Sequence, residues 1–557
     1  MEVIGQGGKA TSSLNKDYFN VKNSDDQTEC GMHLDQQTWR FDNVSQTDTG
    51  GDDIEEAMVV MIPAKDQGTP ECSDAKLREL KGWEEFGAVE EVEDKGQETI
   101  SHRWVLVEKM IKGKLGIKAR LVVRGFEEAV QVQADSPTGR KESLHLLLSL
   151  ASTYGWEIKT LDVQNAYLQG EDLDREVYME PPPEAKKADK IWRLRKAVYG
   201  MNDAGRRWFF RVRTVLKDMG WSQCKLDSCF FYTLVGDVLH GVVILWVDDF
   251  FFACNPSTEK SLVDGIEKQF KIGNKEVNDF VYTGLRFTRL KSGIEVDQSR
   301  YIDTLEPAVL SRKSPKIMAL TKEESTLLRK MTGKINWAAT QTRPDMAYSV
   351  VELSVKYKAP TLEDLTKANK AIMRMVANPV KLFFPALAGQ FQIITFSDAA
   401  FRNLPDQISS GRGHIIFLRG SDSGDHVAPV AWNANKVKRV VGSTIAAEGL
   451  SLLMALDHAH YLRAILAEVL GKVQKDIQIV SYIDSKNLYE AIYSTSLVED
   501  KKLRCDLAQI QETVNTENVE VKWVPGSEML ADSLTKKTAN SAQLLNVLSR
   551  GLLKVII

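Results

Sequence analysis

The pattern of hydrophobic and polar positions changes character along this chain. Residues 1–70 are mostly polar, with too few apolar side chains to offset the entropy lost on ordering, so we expect a disordered leader or linker. From residue 71, short alternating or continuous apolar runs predict strands, and the apolar-faced run at 142–153 predicts a helix. This mixture predicts an α+β region after the leader.

The strongest strand signal surrounds two adjacent aspartates. The runs CFFYTL and VLHGVVILWV predict a hairpin, and Asp248, Asp249 and the apolar run FFFAC follow it directly. Buried carboxylates are costly to ionise unless cations offset their charge. Asp162, at the end of the predicted strand WEIKTLDV, is the candidate third acid, because strand ends project side chains from one edge of a sheet. Magnesium prefers such oxygen ligands, and two ions can activate a 3′-hydroxyl and stabilise a leaving pyrophosphate.

Other polar residues have a nucleotide-binding interpretation beside a structural one. Tyr167 lies five residues after Asp162, where its ring could exclude a 2′-hydroxyl or simply pack in a core. Lys118 and Arg120 could bind a triphosphate by charge and paired hydrogen bonds, although a KxR pattern by itself is a weak signal. The helix predicted to be capped by Asn202 or Asp203 has a basic face that fits either a solvated surface or a track for backbone phosphates, comprising Arg206, Arg207, Arg211, Arg213 and Lys217.

A second mixed unit is predicted from residue 391 onwards. Its order is three strands, a helix, a strand, two helices, a strand and a last helix, which predicts a mixed sheet with helices. Four acids fall on four of these elements: Asp398, Glu448, Asp484 and Asp532. Hydrolysis of a phosphodiester by two metal ions needs such a cluster. The alternative is four unrelated acids at helix starts and strand ends, and it weakens because all four fall in this order of elements.

Composition narrows the function classes. The 72 Lys and Arg against 76 Asp and Glu give a net charge of −4, which argues against simple coating of nucleic acid and leaves local basic patches for binding. No apolar run approaches the roughly 18 residues of a membrane span and no secretory signal is seen, so we expect an intracellular protein that uses no membrane. Six cysteines without a CxxC pair indicate neither a disulfide framework nor a zinc site. The triplet DTG at 48–50 lacks the apolar strands of an aspartic protease, which favours a chance match.

Several runs, taken in order, resemble a known family. KARLVVRGFEE, SPTGRKESLHLLL, LDVQNAYLQGEDLDREVYMEPPPE, RLRKAVYGMNDAGRRW, LWVDDFFFAC, YTGLRFTR and TRPDMAYSVVELS resemble the successive blocks of copia-type retrotransposon reverse transcriptases, over roughly residues 75–355. FSDAAF, STIAAEGLSL, SYIDSKNL and MLADSLTKK resemble the ribonuclease H domain that follows it, over about 391–540. The order of the blocks is more specific than any single motif.

The resemblance implies a fold and a division of the chain. The fold is an α+β right-hand polymerase with fingers, palm and thumb, followed by a ribonuclease H-like mixed-sheet α/β domain. After the leader at 1–70, the implied parts are fingers and palm (71–255), thumb and connection (256–390), the ribonuclease H-like domain (391–540) and a C-terminal tail (541–557).

The resemblance also implies roles for the candidate residues. Asp162, Asp248 and Asp249 match the ligands of the catalytic magnesium ions, Tyr167 matches the steric gate, and Lys118 and Arg120 fall in the fingers strand that contacts the triphosphate. Asp398, Glu448, Asp484 and Asp532 match the ligands of the second site. Each site is expected to hold two Mg²⁺ or Mn²⁺ ions.

The chain departs from the family pattern in a few places. Trp246 replaces the usual Tyr before the aspartate pair, and the stretch 201–205 replaces Leu-Lys-Gln-Ala-Pro, which concerns contact with the template rather than the metal site. The run WVPGSE lacks the His that cellular ribonucleases often have near the last acid. His458 and His460, on the preceding long helix, are interpreted as surface or packing residues.

The implied function is an RNA-directed DNA polymerase with ribonuclease activity on RNA–DNA hybrids, from a copia-type retrotransposon. Its partners would be an RNA template, a DNA or RNA primer, the RNA–DNA hybrid and deoxynucleoside triphosphates, in a cytoplasmic virus-like particle with nuclear entry left open. One alternative is a decayed or co-opted element that binds hybrids without catalysis, and another is a chain that acts only as a ribonuclease.

Overall fold

The computed structural model describes residues 31–34, 39–42, 60–111, 114–309, 315–495 and 498–554. Residues 1–49 form a unit of their own, in which β1 (Gly31–Leu34) and β2 (Trp39–Asp42) pair antiparallel. The triplet at 48–50 and most of the predicted leader lie outside the described residues. The first described element of the second unit is a strand at 60–61, inside the predicted leader.

The first part of the second unit is built mainly of strands. Its elements in chain order are β3 (Val60–Met61), α1 (Pro70–Glu85), β4 (Val89–Glu93), β5 (Thr99–Ile100), β6 (His102–Ile111), β7 (Lys114–Val123), α2 (Lys141–Tyr154), β8 (Lys159–Val163), β9 (Tyr178–Met179), β10 (Lys190–Leu194), α3 (Ala204–Asp218), β11 (Ser222–Gln223), β12 (Phe230–Val235), β13 (Val238–Trp246), β14 (Asp249–Cys254), α4 (Pro256–Gln269), β15 (Ile272–Val277), β16 (Asp279–Tyr282), β17 (Leu285–Leu290) and β18 (Gly293–Asp297). The strands form a three-stranded sheet β3-β6-β7, a four-stranded sheet β4-β10-β9-β5 and a six-stranded sheet β11-β12-β13-β14-β8-β15.

The six-stranded sheet is buried on both faces, which explains the unbroken apolar run in β14. Phe250 and Phe252 pack into the core that contains α3 and α4, while Phe251 packs into the core on the opposite face. Successive strand side chains point to opposite faces, so a strand covered on both sides loses the usual apolar–polar alternation. The sequence pattern of FFFAC therefore reports a central strand.

The middle of the chain forms a helical unit with its own core. Its elements are α5 (Ser299–Asp303), α6 (Lys322–Gln341), α7 (Ala347–Val355) and α8 (Leu362–Ala377). The strand that follows, β19 (Lys381–Pro385), completes the sheet β16-β17-β18-β19. The block TRPDMAYSV has a structural role here. The fully buried Arg343 forms two hydrogen bonds of 2.9 Å with Asp345 and donates to the carbonyl oxygens of Met375 and Asn378, which joins the start of α7 to the end of α8.

The C-terminal part forms the predicted mixed sheet. Its elements are β20 (Phe391–Ala400), β21 (Gly411–Gly420), β22 (Val427–Lys436), α9 (Thr444–Val469), β23 (Gln478–Ile483), α10 (Lys486–Tyr493), α11 (Lys501–Thr516), β24 (Val519–Trp523), α12 (Asp532–Thr535) and α13 (Ala542–Arg550). The strand order is β22-β21-β20-β23-β24, with β20, β23 and β24 parallel and the other pairs antiparallel. A right-hand polymerase fold is thus followed by a ribonuclease H-like sheet, and the predicted fold class is confirmed.

Two local predictions differ from the structure. The helix predicted over EMLADSLTKKT is reduced to the four-residue α12, which follows a 3₁₀ turn at Gly526–Glu528. Asp203 precedes α3 without a capping hydrogen bond from its side chain, because its carboxylate binds Arg175 and Arg207. Among the residues described, no helix combines the length and apolar character needed to cross a membrane.

Helix α2 joins the polymerase part to the ribonuclease H-like sheet through a buried histidine. His145 is 2% exposed, its Nδ1 donates a hydrogen bond of 2.8 Å to the Val430 carbonyl, and its ring stacks on Trp432. Burial, with a further contribution from Lys141, lowers the pKa of His145 to about 4. The neutral imidazole is therefore the form that fits this interface.

This histidine makes stability depend on pH. The unfolded chain protonates His145 near pH 6.5 and the folded chain only near pH 4, so its contribution is complete above pH 6.5 and is lost as the pH falls toward 4. We expect the free energy of unfolding to fall by about 2 kcal/mol more between pH 7 and pH 5 in the native chain than in a His145→Gln variant. Urea unfolding followed by circular dichroism measures this difference. Equal pH dependence of the two proteins would contradict it.

Candidate active sites

Strand register brings two of the three predicted polymerase acids together. β14 pairs antiparallel with β8, and Asp249 lies directly opposite Asp162. Directly opposed residues of an antiparallel pair have their side chains on the same face, with Cβ atoms about 5 Å apart. Asp248 precedes Asp249 in the turn that joins β13 to β14, and both carboxylates belong to residues that are 7% exposed. The trio thus lies at one end of the sheet.

The turn that carries Asp248 is held by its backbone. Val247 has φ +58°, a conformation that a β-branched residue rarely adopts and that tends to occur at functional sites. Its carbonyl accepts a hydrogen bond of 2.7 Å from Trp208 Nε1, and the Asp248 carbonyl accepts one from the Val163 amide. The turn is therefore fixed both to α3 and to the strand that carries Asp162.

The irregular edge strand β15 leaves space for the carboxylate of Asp162. The pairing of β15 with β8 is interrupted between Ile272 and Lys275, and Gly273 lies in this interruption. A Cβ atom at Gly273 would come within 2.4 Å of Asp162 Oδ2. A small cavity beside the carboxylates of Asp162 and Asp249 is also lined by Asn274 and residues 276, 281 and 282. No local sequence signal marks this strand, because only its pairing with β8 places it at the site.

Two of the three predicted nucleotide-binding residues, Arg120 and Tyr167, contact the ring of Tyr199. Arg120 in β7 places its guanidinium 4.9 Å from the centre of the Tyr199 ring and forms an ion pair with Glu79. Tyr167 lies in a 3₁₀ turn after β8, and its ring also contacts Tyr199, with 5.1 Å between the two ring centroids. Lys118 lies two residues before Arg120 in the same strand. Tyr199 thus links β7 to the predicted steric gate.

The basic face of α3 is partly engaged by acids of the same chain. Arg207 binds Asp203 and Asp174, and Arg206 binds Asp135. Trp246, which replaces the usual tyrosine, ends β13 opposite Asp249 and is partly buried. The altered stretch 201–205 therefore contributes an ion-pair network at the start of α3 rather than a helix cap.

The second predicted cluster comes together at one edge of the ribonuclease H-like sheet. Asp398 lies two residues before the end of the central strand β20 and has no exposed surface, Asp484 follows β23, and Asp532 begins α12. Each of these three offers a carboxylate oxygen within 4.8 Å of the others. Glu448 in α9 lies beside them, since its Oε2 accepts a hydrogen bond of 3.1 Å from the Ala399 amide.

Electrostatics indicate that this cluster needs positive charge. Burial, together with Asp398 and Asp484, holds the pKa of Glu448 well above its ordinary value. Burial and Asp398 likewise raise the pKa of Asp484, and burial raises that of Asp532 to about 6. Carboxylates crowded in this way are stabilised as anions by a cation among them. The oxygen ligands and their spacing fit a hard divalent ion.

The structure adds residues to this cluster that the sequence had not indicated. Lys536 Nζ lies 2.6 Å from Asp532 Oδ1, 3.2 Å from Asp398 Oδ1 and 4.0 Å from Asp484 Oδ2. Thr535 donates a hydrogen bond to Asp398 Oδ2. Lysines and threonines next to a helix end are common on surfaces, so only the position of α12 reveals these contacts. By contrast, His458 is a packing residue, with its Nδ1 3.0 Å from His414 Nε2.

Known proteins resemble this chain over most of its length. A family model described as reverse transcriptase (RNA-dependent DNA polymerase) matches residues 87–319. The retrovirus-related Pol polyproteins from transposons RE2 and RE1 of Arabidopsis thaliana are 30% identical over 466 residues and 27% identical over 463 residues, each covering 79% of this chain. The chain belongs with the copia-type Pol polyproteins.

The copia-type chain spans 31% of the length of these two relatives. A third relative, the Pol polyprotein from transposon TNT 1-94 of Nicotiana tabacum, is 26% identical over 504 residues, with 83% of this chain and 36% of the relative covered. A solved foamy viral protease-reverse transcriptase in complex with dsDNA aligns with a TM-score of 0.49 at 12% identity, over 82% of this chain and 84% of the other. Residues 87–319, which the family model matches, are the part of the copia-type chain that is similar to reverse transcriptases.

Proposed function

We propose that the copia-type chain synthesises DNA on an RNA template and cleaves the RNA strand of the resulting hybrid, at two separate carboxylate sites. The observation that carries the proposal is the pairing of Asp162 with Asp249 beside the strained turn of Asp248. Three acids, two of them on the adjacent strands β8 and β14 and the third in the turn just before β14, form the kind of cluster that two-metal phosphoryl transfer requires. The match of residues 87–319 to reverse transcriptases supports the choice of reaction.

At the polymerase site, the chain would hold two Mg²⁺ ions with Asp162, Asp248 and Asp249. Bound ions would make the primer 3′-oxygen nucleophilic and offset the charge of the departing pyrophosphate. The chain itself supplies position: β8 and β14 fix two carboxylates by register, and the hydrogen bond from Trp208 to Val247 holds the turn. Such preorganisation is the main protein contribution to phosphoryl transfer.

At the second site, Asp398, Asp484 and Asp532 would hold the ions, with Glu448 beside them. Two bound metal ions would generate hydroxide and stabilise the leaving oxygen of the RNA strand. The acids belong to β20, α9, α12 and the end of β23, so the packing of this one domain sets their geometry. The parallel pairing of β20 with β23 brings the carboxyl ends of both strands to one sheet edge.

Nucleotide selection is assigned to Tyr167. Its buried ring packs against Tyr199 in the turn that follows the strand of Asp162, so replacement by Ala would remove the bulk to which we assign the exclusion of a 2′-hydroxyl. We expect Tyr167→Ala to raise the incorporation of ribonucleotides relative to deoxyribonucleotides about tenfold or more, while Tyr167→Phe leaves the ratio unchanged. Single-nucleotide incorporation with each triphosphate measures the ratio. An unchanged ratio in Tyr167→Ala would remove the gate assignment.

The function is tested by metal-dependent primer extension. Purified chain, a labelled DNA primer on an RNA template and deoxynucleoside triphosphates should give extended product with Mg²⁺ and none with excess EDTA. Restoring Mg²⁺ should restore extension. Tight binding of the primed template without extension under any divalent ion would instead support a protein that binds hybrids without turnover.

A further inference from the structure

A lysine ammonium lies inside the second carboxylate cluster, where a cation is needed. Lys536 Nζ contacts oxygens of Asp532 and Asp398 and lies 4.0 Å from Asp484. These three acids are the ones whose oxygens lie close enough together to hold an ion. The ammonium and a metal ion would therefore be held by the same three carboxylates.

The backbone of the short helix α12 positions the Lys536 side chain beside the carboxylates. Asp532 begins the helix and Lys536 follows its last residue, so the two side chains stand one turn apart, where pairs four residues apart face each other. The Lys536 amide donates to the Asp532 carbonyl at 2.9 Å. The Thr535 carbonyl accepts a hydrogen bond of 2.7 Å from Asn403 Nδ2, which ties the helix end to the loop after β20.

The charge of Lys536 offsets a costly concentration of carboxylates. Asp398 has no exposed surface and Glu448 is 5% exposed, so without a cation the ionised cluster would repel itself in a medium of low polarity. A lysine ammonium is charged at neutral pH, and at 36% exposure the Lys536 side chain has a path toward solvent.

We propose that Lys536 is a built-in counter-ion that occupies the cluster in the metal-free protein and is displaced when a divalent ion binds, and that it thereby sets the metal affinity of this site. The inference rests on the proposed function, since it assumes that the cluster binds metal. Oxygen ligands approach Mg²⁺ to about 2.1 Å, so an ion held by Asp398 and Asp532 leaves no room for an ammonium between them. Like charge adds to this exclusion.

A counter-ion and a purely structural ion pair that joins α12 to the sheet would differ in how they respond to metal. A structural ion pair would stabilise the protein equally with and without metal. A counter-ion that leaves when metal binds stabilises only the metal-free state and weakens metal binding, so its removal should have opposite effects on the two measurements.

The test measures Mn²⁺ binding by calorimetry in the full chain carrying Asp248→Asn and Asp249→Asn, which removes the polymerase site from the titration. In that background, Lys536→Met should bind Mn²⁺ about tenfold more tightly than the parent, the effect of a close charge pair. Lys536→Arg, which keeps the charge, should bind like the parent. The matched control is Lys537→Met, because Lys537 is exposed and faces Glu352, and it should leave the affinity unchanged.

Thermal unfolding supplies a second readout. Lys536→Met should unfold at a lower temperature than the parent in EDTA, and saturating Mn²⁺ should abolish the difference. A deficit that persists in Mn²⁺, or an unchanged Mn²⁺ affinity, would overturn the proposal. If Lys536→Met does not fold, Lys536→Gln is measured in the same two ways.

An added Asp398→Asn variant distinguishes this failure from failure of the proposed function. Mn²⁺ binding that Asp398→Asn removes but Lys536→Met does not change overturns the role of Lys536 alone. Absence of any Mn²⁺ binding that depends on Asp398, in the parent and in Lys536→Met alike, overturns the metal site and the counter-ion role together.

Discussion

Replacing Asp248 by asparagine is expected to lower the rate of primer extension at least about a thousandfold. The substitution keeps the size of the side chain and removes the charge that would hold an ion. Asp248 lies in a turn fixed by hydrogen bonds to Trp208 and Val163, so no neighbouring acid can take its place without rebuilding the turn. Rapid-quench measurement of a single nucleotide addition gives the rate, and cleavage of a preformed RNA–DNA hybrid should remain near that of the native chain.

The matched control for Asp248 is Asp237→Asn. Asp237 lies in the exposed turn of the preceding hairpin, between β12 and β13, and carries the same chemical change. It should extend primers at the native rate. Extension by Asp248→Asn within tenfold of the native rate would remove this residue from the metal site.

Replacing Asp398 by asparagine is expected to lower hybrid cleavage at least about a thousandfold while primer extension continues. Asp398 is the fully buried member of its cluster, where it accepts from Thr535 and lies 3.2 Å from Lys536 Nζ. The neutral amide can still fill this space, but it cannot attract a divalent ion. Release of fragments from a labelled RNA strand annealed to DNA measures the loss.

The control for the second site is Asp425→Asn. This aspartate lies in the exposed turn between β21 and β22 of the same domain. It should cleave hybrids like the native chain. Circular dichroism of Asp398→Asn must show native helix content, and a folded variant that cleaves at the native rate would contradict the assignment of the second site.

The sequence allowed good predictions wherever the deciding pattern was local. The apolar runs on both sides of Asp248 and Asp249 predict a hairpin and a fully buried strand, and the structure has both. The pairing of Asp249 with Asp162 joins residues far apart in the chain, and it was expected from the order of family blocks rather than from any local signal.

Contacts between distant elements escaped prediction for a physical reason. Lys536 is one of two adjacent lysines after an acid, a pattern typical of a solvated helix end, and only the packing of α12 against β20 separates it from Lys537. Asp203 likewise has the sequence of a helix cap, but Arg175 competes for its carboxylate from another segment. A charged side chain pairs with the opposite charge that the fold brings nearest to it, and a local sequence pattern does not show which distant residue that is.

The measurement that tests the central claim most directly follows both reactions in one tube. A primed RNA template carries one fluorophore on the DNA primer and a second on the RNA, and Mg²⁺ starts the reaction with the native chain, Asp248→Asn, Asp398→Asn or the double variant. Two independent sites predict both products for the native chain, only RNA cleavage of preformed hybrid for Asp248→Asn, only extension for Asp398→Asn, and neither for the double variant. Loss of both activities in either folded single variant, or extension that persists in Asp248→Asn, would contradict the account.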